Sequence, residues 1–438
     1  MSDINQDVSD FLSKISDKHS ILKFLYNINN QEFDYEKDSV FYSGPFWDFD
    51  EIKAIFNSVL NGKWISSGES VAKFEKLFSK KFNLGSSVMV NSGSSANLVM
   101  IASLKKFFSW MDNDEIIIST VGFPTTLSPV IQNNLKPVFV DINLDDLNFN
   151  LEQVEDKINN KTRGIFISPV LGNPPNFDRL VELSKTYNVE LILDNCDSLG
   201  SRWKGNFLTE YTVSSSCSFY PAHHISTGEG GMVSSKHEQI SVLARSFAWW
   251  GRDCYCVGAA NLLPNGTCKK RFQKWVDDLD VVIDHKYVFS NIGYNLKPLD
   301  LQGSIGIEQL KKFNDIHLKR RKNKNLIENM FEKYVDDIFI VKEDNNAETS
   351  WFGVPIVCKN KKLKFNLVKH LEKNRIQTRN YFAGNILLHP AYSHLDDKSK
   401  YPIANQVLEK VFFVGCSPTY NDSMLNYYDY VLSKFNNN

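Results

Sequence analysis

Apolar residues recur at helical spacing over Phe49–Leu60, where Gly62 closes the stretch. A second helical stretch, Val71–Phe82, follows the turn Ser66–Ser67–Gly68. The pattern then changes. Short apolar runs at Ser87–Val90, Glu115–Ser119, Lys136–Val140, Gly164–Ser168, Glu190–Asp194, Ser215–Phe219 and Gly231–Ser234 alternate with longer helical stretches. Such alternation predicts βαβ units and a mostly parallel sheet, with ligands bound at the carboxyl ends of the strands. Past Lys236 the regularity breaks, and residues 251–290, rich in Gly, Cys, Trp and Asp, read as an inserted loop region. A long helix over Pro298–Arg321 leads into a smaller unit. That unit has strand patterns at Ile338–Val341 and Trp351–Val357 and helical ones at Leu367–Asn374 and Ser423–Phe435. The expected organisation is a helical lead-in (1–45, with an apolar patch at Ile21–Tyr26), a large α/β domain (46–320) and a small α+β domain (321–438).

Composition narrows the class. The 438 residues are 42% hydrophobic and 23% charged, enough for sizeable cores. Fifty basic residues against 51 acidic ones leave a net charge of −1, with no electrostatic reason to expect nucleic acid or a membrane surface as partner. No apolar run reaches the roughly 18 residues of a membrane helix. The start MSDINQDVSDFLSKI lacks the basic-then-apolar order of a signal peptide, so the expected location is cytoplasmic. Seven cysteines, an odd number in a large chain, do not make a disulfide scaffold. Three of them, Cys254, Cys256 and Cys268, fall within fifteen residues. That cluster suits a metal or redox site, or simply buried thiols.

Three segments carry candidate chemistry. Asn91-Ser-Gly-Ser-Ser-Ala96 joins a strand to a helix. Its amides and hydroxyls suit a phosphate, and it equally suits an ordinary capped helix start. Asp194 ends an apolar strand, where an acid needs a partner; a pyridinium nitrogen is one, and capping of the next helix is another. The third segment, Ser218-Phe-Tyr-Pro-Ala-His-His-Ile-Ser-Thr-Gly-Glu-Gly-Gly231, is the most specific.

With that segment, the chain resembles the DegT/DnrJ/EryC1/StrS family of sugar aminotransferases, which have the type I PLP-dependent aspartate aminotransferase fold. The resemblance runs over residues 45–435, through Trp64, Gly68, Phe74-Glu75, Gly93-Ser94-Ser95, Asp194, the Ser218 segment, Gly293-Tyr-Asn295 and Arg379. The family pattern Ser-Phe-x-x-x-Lys-x-x-x-x-Gly-Glu-Gly-Gly carries the lysine that holds PLP as a Schiff base. Here that position is His223, and the next lysine downstream, Lys236, lies past the glycines. An imidazole cannot form that bond but can move protons near neutral pH. The cofactor is therefore expected to be noncovalent and to rest as pyridoxamine phosphate (PMP).

The resemblance is strongest to the 3-dehydrase branch, the CDP-4-keto-6-deoxyglucose 3-dehydrases of 3,6-dideoxyhexose biosynthesis. Their Tyr-Pro-Ala-His-His and Ala-Gly-Asn segments recur at Tyr220–His224 and Ala383–Asn385. That branch binds a [2Fe–2S] cluster through Cys-x57-Cys-x-Cys-x7-Cys. Cys196 and Cys254 are separated by 57 residues and Cys254-Tyr-Cys256 supplies the Cys-x-Cys. Cys268, the fourth expected ligand, follows after eleven residues instead of seven.

The resemblance also implies residue roles. His223 is the base acting at the cofactor C4′ carbon, with Tyr220 beside it, and the C3 hydroxyl of a nucleotide-linked 4-keto-6-deoxyhexose is the leaving group. Asp194 pairs with the pyridinium, Phe123 stacks on the ring, and Asp197 stands beside the ring hydroxyl. Gly93, Ser94, Ser95 and Ser218 hold the phosphate, together with Asn295 from the second subunit of a homodimer. Arg379 meets the substrate diphosphate. Electrons come from a separate NAD(P)H-dependent flavin iron–sulfur reductase, and the product serves lipopolysaccharide O-antigen synthesis. The alternatives are a cluster-independent enzyme like the GDP-4-keto-6-deoxymannose 3-dehydratases, an ordinary aminotransferase, which the missing lysine opposes, and a non-catalytic family member. His224, Cys217, Cys358 and Cys416 are expected to be structural.

Overall fold

The computed structural model describes residues 6, 7, 10, 33–62, 64–254, 271–273, 276 and 278–436. Helix α1 (Phe49–Asn61) opens on a capping box: Asp48 accepts from the Asp50 amide while Glu51 accepts from the Asp48 amide. Helix α2 (Glu69–Lys81) follows and buries Val71, Phe74 and Phe78. The expected alternation then appears as β1 (Ser86–Val90), α3 (Gly93–Phe107), β2 (Glu115–Ser119), α4 (Pro124–Gln132), β3 (Lys136–Val140), α5 (Leu151–Lys157), β4 (Thr162–Ile167), α6 (Phe177–Tyr187) and β5 (Glu190–Asp194). After a ribbon of β6 (Arg202–Trp203) and β7 (Asn206–Phe207), β8 (Ser214–Ser218) and β9 (Gly231–Ser235) return to the main sheet, with α7 (Glu238–Ala248) behind.

The main sheet has the order β1-β9-β8-β5-β4-β2-β3, and only β9 runs against the others. Its strands are buried on both faces, as parallel strands must be. Alternate side chains supply two cores: Ile116, Ile118, Phe166 and Ile192 on one face, and Ile117, Ile165, Ile167, Leu191 and Leu193 on the other. All the parallel strands therefore end at the same edge, where the loops carrying the candidate residues collect.

The long helix α8 (Asp300–Tyr334) runs 35 residues, thirteen beyond the predicted end at Arg321. The polar run Lys319–Asn325 hides its periodicity. Arg320, Asn323, Lys324, Ile327, Glu328 and Phe331 are all buried at helical spacing, and the polar ones are paired internally: Lys324 Nζ lies 2.5 Å from Glu328, and Asn323 donates to Ser417 O at 2.7 Å. The small unit then adds β10 (Ile338–Ile340), β11 (Ala347–Glu348), β12 (Gly353–Cys358), α9 (Lys361–Lys373), β13 (Thr378–Asn380), α10 (Pro402–Lys410), β14 (Val411–Gly415) and α11 (Asp422–Ser433). Its antiparallel sheet has the order β10-β12-β14-β13, while β11 pairs with the β6 ribbon.

The expected patch Ile21–Tyr26 lies outside the described residues, as do Cys256 and Cys268. Residues 33–48 are not helical. They form a strap across the small unit, bridged by Val40 to Ile376, with Tyr420 Oη donating to Phe41 O at 2.7 Å. Among the described residues no helix is long and apolar enough to cross a membrane.

Candidate active site

A cavity of about 300 Å³ opens where β1, β2, β4, β5 and β8 end. Ser92, Gly93 and Ser94 line it after β1, and Phe123 and Thr125 after β2. Asp194 ends β5 and is followed on the wall by Cys196 and Asp197; Ser218 ends β8 and is followed by Tyr220 and His223.

Helix α3 starts against this wall because residue 93 is glycine. A Cβ there would lie 2.4 Å from Ser218 Cβ and 3.1 Å from Cys196 Sγ. Ser92 Oγ caps the helix by accepting from the Ser95 amide at 3.1 Å and bonds Ser95 Oγ at 3.0 Å. Ser95 takes part in the cap, one turn position behind the serines on the cavity wall. Ser92 and Thr125 stand on that wall, with Ser94 Oγ bonded to Thr125 Oγ1 at 3.1 Å. The first amides of the helix and these hydroxyls are groups of the kind that suit an anion.

Asp194 is 6% exposed and fully hydrogen-bonded. Oδ2 accepts from Asn97 Nδ2 at 2.8 Å and Thr126 Oγ1 at 2.7 Å, and Oδ1 from the Cys196 amide at 3.2 Å and Ser216 Oγ at 3.4 Å. Asn97 comes from α3, Thr126 from α4 and Ser216 from β8, so four separate segments hold one carboxylate facing the cavity. This settles the helix-cap alternative for Asp194: its acceptors serve side chains and the Cys196 turn, and the next secondary element is the β6 ribbon.

His223 lies in the bend after β8, where its amide donates to Tyr220 O at 3.0 Å. Its Nδ1 is buried without a hydrogen bond, and Asp197 Oδ1 stands 3.6 Å away. Burial lowers the imidazole to about 4, helped by the Arg320 charge and opposed by Asp194. Burial likewise raises Asp197 to about 7, with the Asp194 charge adding to the rise and the Leu171 amide and Arg320 resisting it. The imidazole is therefore neutral at neutral pH, as a base requires, while Asp197 stands near the midpoint of its titration. His224, by contrast, points away, with Nε2 2.8 Å from Ser350 O and 2% exposure; burial holds it well below the usual histidine range.

The remaining candidates divide. Phe123, half exposed, lies on the wall and meets Phe382 edge-on at 5.9 Å. Tyr220 is 47% exposed at the mouth, its ring 6.4 Å from that of His223. Arg379 is not on the wall: its guanidinium sits 4.2 Å over the ring of Tyr42, which is. Burial holds the Tyr42 phenol above its usual range, with Arg379 pulling the other way. Asn295 is exposed, bridges Trp249 and does not touch the cavity of its own chain.

Cys196 lines the cavity, its thiol pushed well up by burial and by the Asp194 charge. Cys254 is buried with its sulfur 3.8 Å from His285 Nε2. Cys217, Cys358 and Cys416 are buried, as expected. Sequence reasoning missed Tyr42, Asn97, Thr126, Phe352 and Arg320; none stands in a motif with the residues it serves.

A buried carboxylate and a serine-rich helix start lining one cavity, at the switch edge of this sheet, is a layout that suits a pyridoxal-phosphate-type enzyme. The match to the DegT/DnrJ/EryC1/StrS aminotransferase family covers residues 48–432. The chain is 35% identical over 394 residues to dTDP-4-dehydro-2,6-dideoxy-D-glucose 3-dehydratase of Saccharopolyspora spinosa, covering 88% of this chain and 84% of the relative. It is 33% identical to the lipopolysaccharide biosynthesis protein RfbH of Salmonella typhimurium, covering 88% of each. A solved structure of the E. coli GDP-4-keto-6-deoxy-D-mannose-3-dehydratase with bound hydrated PLP superposes with a TM-score of 0.78 at 30% identity, over 90% of this chain and 99% of that one. The chain belongs to the DegT/DnrJ/EryC1/StrS aminotransferase family, and its relatives include sugar 3-dehydratases.

Proposed function

We propose that this protein is a PMP-dependent nucleotide-sugar 3-dehydratase that removes the C3 hydroxyl of a 4-keto-6-deoxyhexose. The observation that carries this is the wall of the cavity: among the described residues it presents His223 and no lysine. The residues fit the cofactor. Asp194 faces the cavity as a carboxylate already held by four donors, and the α3 amides with Ser94 and Ser218 offer a phosphate cradle. Bound there, the cofactor supplies a ring that takes up the electron pair left when a proton departs beside its amine.

The protein's own groups do the rest. Asp194 keeps the ring nitrogen protonated, and Phe123 packs on the ring. His223 takes the proton and hands it on, with Asp197 close enough to offset the charge the imidazole gains. Tyr220 flanks the base at the mouth, and Arg379, braced on Tyr42, meets the diphosphate. Net deoxygenation consumes two electrons and two protons and releases the hydroxyl as water.

A homodimer is proposed with Asn295 reaching the phosphate of the neighbouring copy. Near Asn295 in the chain Ile292 and Leu299 are exposed, Ile292 at 97%, and the exposed Trp64 and Ile65 precede Ser66, which bridges Leu299. Exposed apolar side chains of this kind suit a second copy of the chain.

The electrons are proposed to arrive through a [2Fe–2S] cluster held by Cys196, Cys254, Cys256 and Cys268, fed by an NAD(P)H-dependent flavin iron–sulfur reductase. Support comes from the 57-residue spacing and from Cys196 lying on the cavity wall itself. CDP as the nucleotide rests on the resemblance; a lipopolysaccharide O-antigen role rests on it and on the Salmonella relative. The likeness to the GDP-4-keto-6-deoxy-D-mannose 3-dehydratases favours a second, cluster-independent reading. Anaerobic purification separates the two. The cluster reading expects about two irons and two sulfides per chain, lost together with deoxygenation in Cys254→Ser while PMP binding persists. Fully active iron-free protein removes the cluster.

A further inference from the structure

Arg320 on α8 is completely buried. Its hydrogen bonds run to neutral oxygens: Phe352 O at 3.1 Å, Ala222 O at 3.0 Å, His223 O at 3.1 Å and Ser43 Oγ at 3.4 Å. Ser43 Oγ in turn donates to Ala222 O at 2.8 Å. Burying a cation on such partners is expensive, and a methionine or leucine would fill the space more cheaply. What the guanidinium gains is geometric. Its planar fork holds acceptors in fixed directions, whereas the three donors of an ammonium rotate.

Those acceptors belong to three chain segments that meet around His223. The strap before α1 brings Ser43, next to Tyr42 on the cavity wall. The bend after β8 brings Ala222 and His223, and the entry to β12 brings Phe352, whose ring lies 5.3 Å from the imidazole. We infer that Arg320 is a positioning residue: it holds the His223 backbone and the Phe352 segment in fixed relation, so that the imidazole is aimed at the reacting carbon. The inference rests on the reading of His223 as the base. It concerns Arg320, which touches neither cofactor nor substrate.

The test uses full-length, PMP-loaded protein. Arg320→Lys keeps the charge but loses the fork. It is expected to lower kcat roughly ten- to hundredfold, the scale on which misplaced catalytic groups act, while PMP affinity and substrate KM stay within about threefold. The primary isotope effect on kcat with PMP deuterated at the carbon that loses the proton should rise, because proton removal becomes the slow step. Unchanged kcat overturns the inference. So does a parallel loss of kcat and PMP affinity with an unchanged isotope effect, which marks a merely structural role. Should Arg320→Lys not fold, Ser43→Ala removes two peripheral bonds of the same set, Arg320 to Ser43 Oγ and Ser43 Oγ to Ala222 O, and is expected to move kcat and the isotope effect in the same directions by a smaller factor; no movement in either overturns the inference. His223→Asn run alongside keeps the two claims apart. If it is inactive while Arg320→Lys matches wild type, only the Arg320 inference fails; if it retains full activity, the reading of His223 fails first.

Discussion

Replacing His223 with asparagine is expected to lower turnover by about 10²–10⁴-fold, the usual contribution of a positioned acid–base group, with PMP binding nearly unchanged. Asparagine is close in size and can hydrogen-bond, but it cannot accept a proton from carbon. The fold should tolerate it, because His223 Nδ1 makes no hydrogen bond to lose. Asp194 and the start of α3 lie on other segments, and Ser218 stands five residues before the change. Single-turnover kinetics with a PMP absorbance titration checks this. Turnover within tenfold of wild type would remove His223 from the proton step.

Asp194→Asn should act differently, through the cofactor's hold as well as its chemistry. The carboxylate now presents two acceptor oxygens to four donors. An asparagine offers one oxygen and turns an NH2 toward the other donors. One of the pairs, Asn97 with Thr126 or the Cys196 amide with Ser216, then faces N–H groups. The charge-assisted bond to a ring nitrogen is also lost. A bond to a charged group contributes roughly 1.5–3 kcal/mol, so PMP Kd should rise about ten- to hundredfold, and turnover should fall even at saturating PMP. Equilibrium titration followed by saturated assays separates the two effects. Wild-type affinity together with wild-type turnover would mean that Asp194 does not meet the ring.

What could be read from the sequence was what is local. The strands of the main sheet are short runs of β-branched and aliphatic residues, such as Ile116–Ile118 and Leu191–Leu193, and their ends carry the motif residues directly. His223 was legible because glycines and a serine at fixed spacing frame it. The support around it was not. Asn97 and Thr126 reach Asp194 from helices 97 and 68 residues away in the chain, and only the closed sheet brings them together. Tyr42 precedes the family match and enters the cavity on a strap. The extent of α8 was hidden because its second half buries Arg320, Asn323 and Lys324, which an apolar periodicity does not register. That Ser95 joins the cap of α3 and that Arg379 stacks on Tyr42 could not be read from the sequence either, because both contacts depend on the folded chain.

The central claim is that a member of this aminotransferase family with His223 in the lysine position deoxygenates a sugar instead of aminating it. The most direct measurement incubates the protein with PMP, a reducing system and CDP- or GDP-linked 4-keto-6-deoxyhexose, and reads the nucleotide sugar by mass. The account predicts a product lacking one oxygen, formed without transfer of nitrogen to the sugar and absent with His223→Asn. A product carrying an amino group, or an unchanged sugar with fully PMP-loaded protein and both nucleotides, would contradict it.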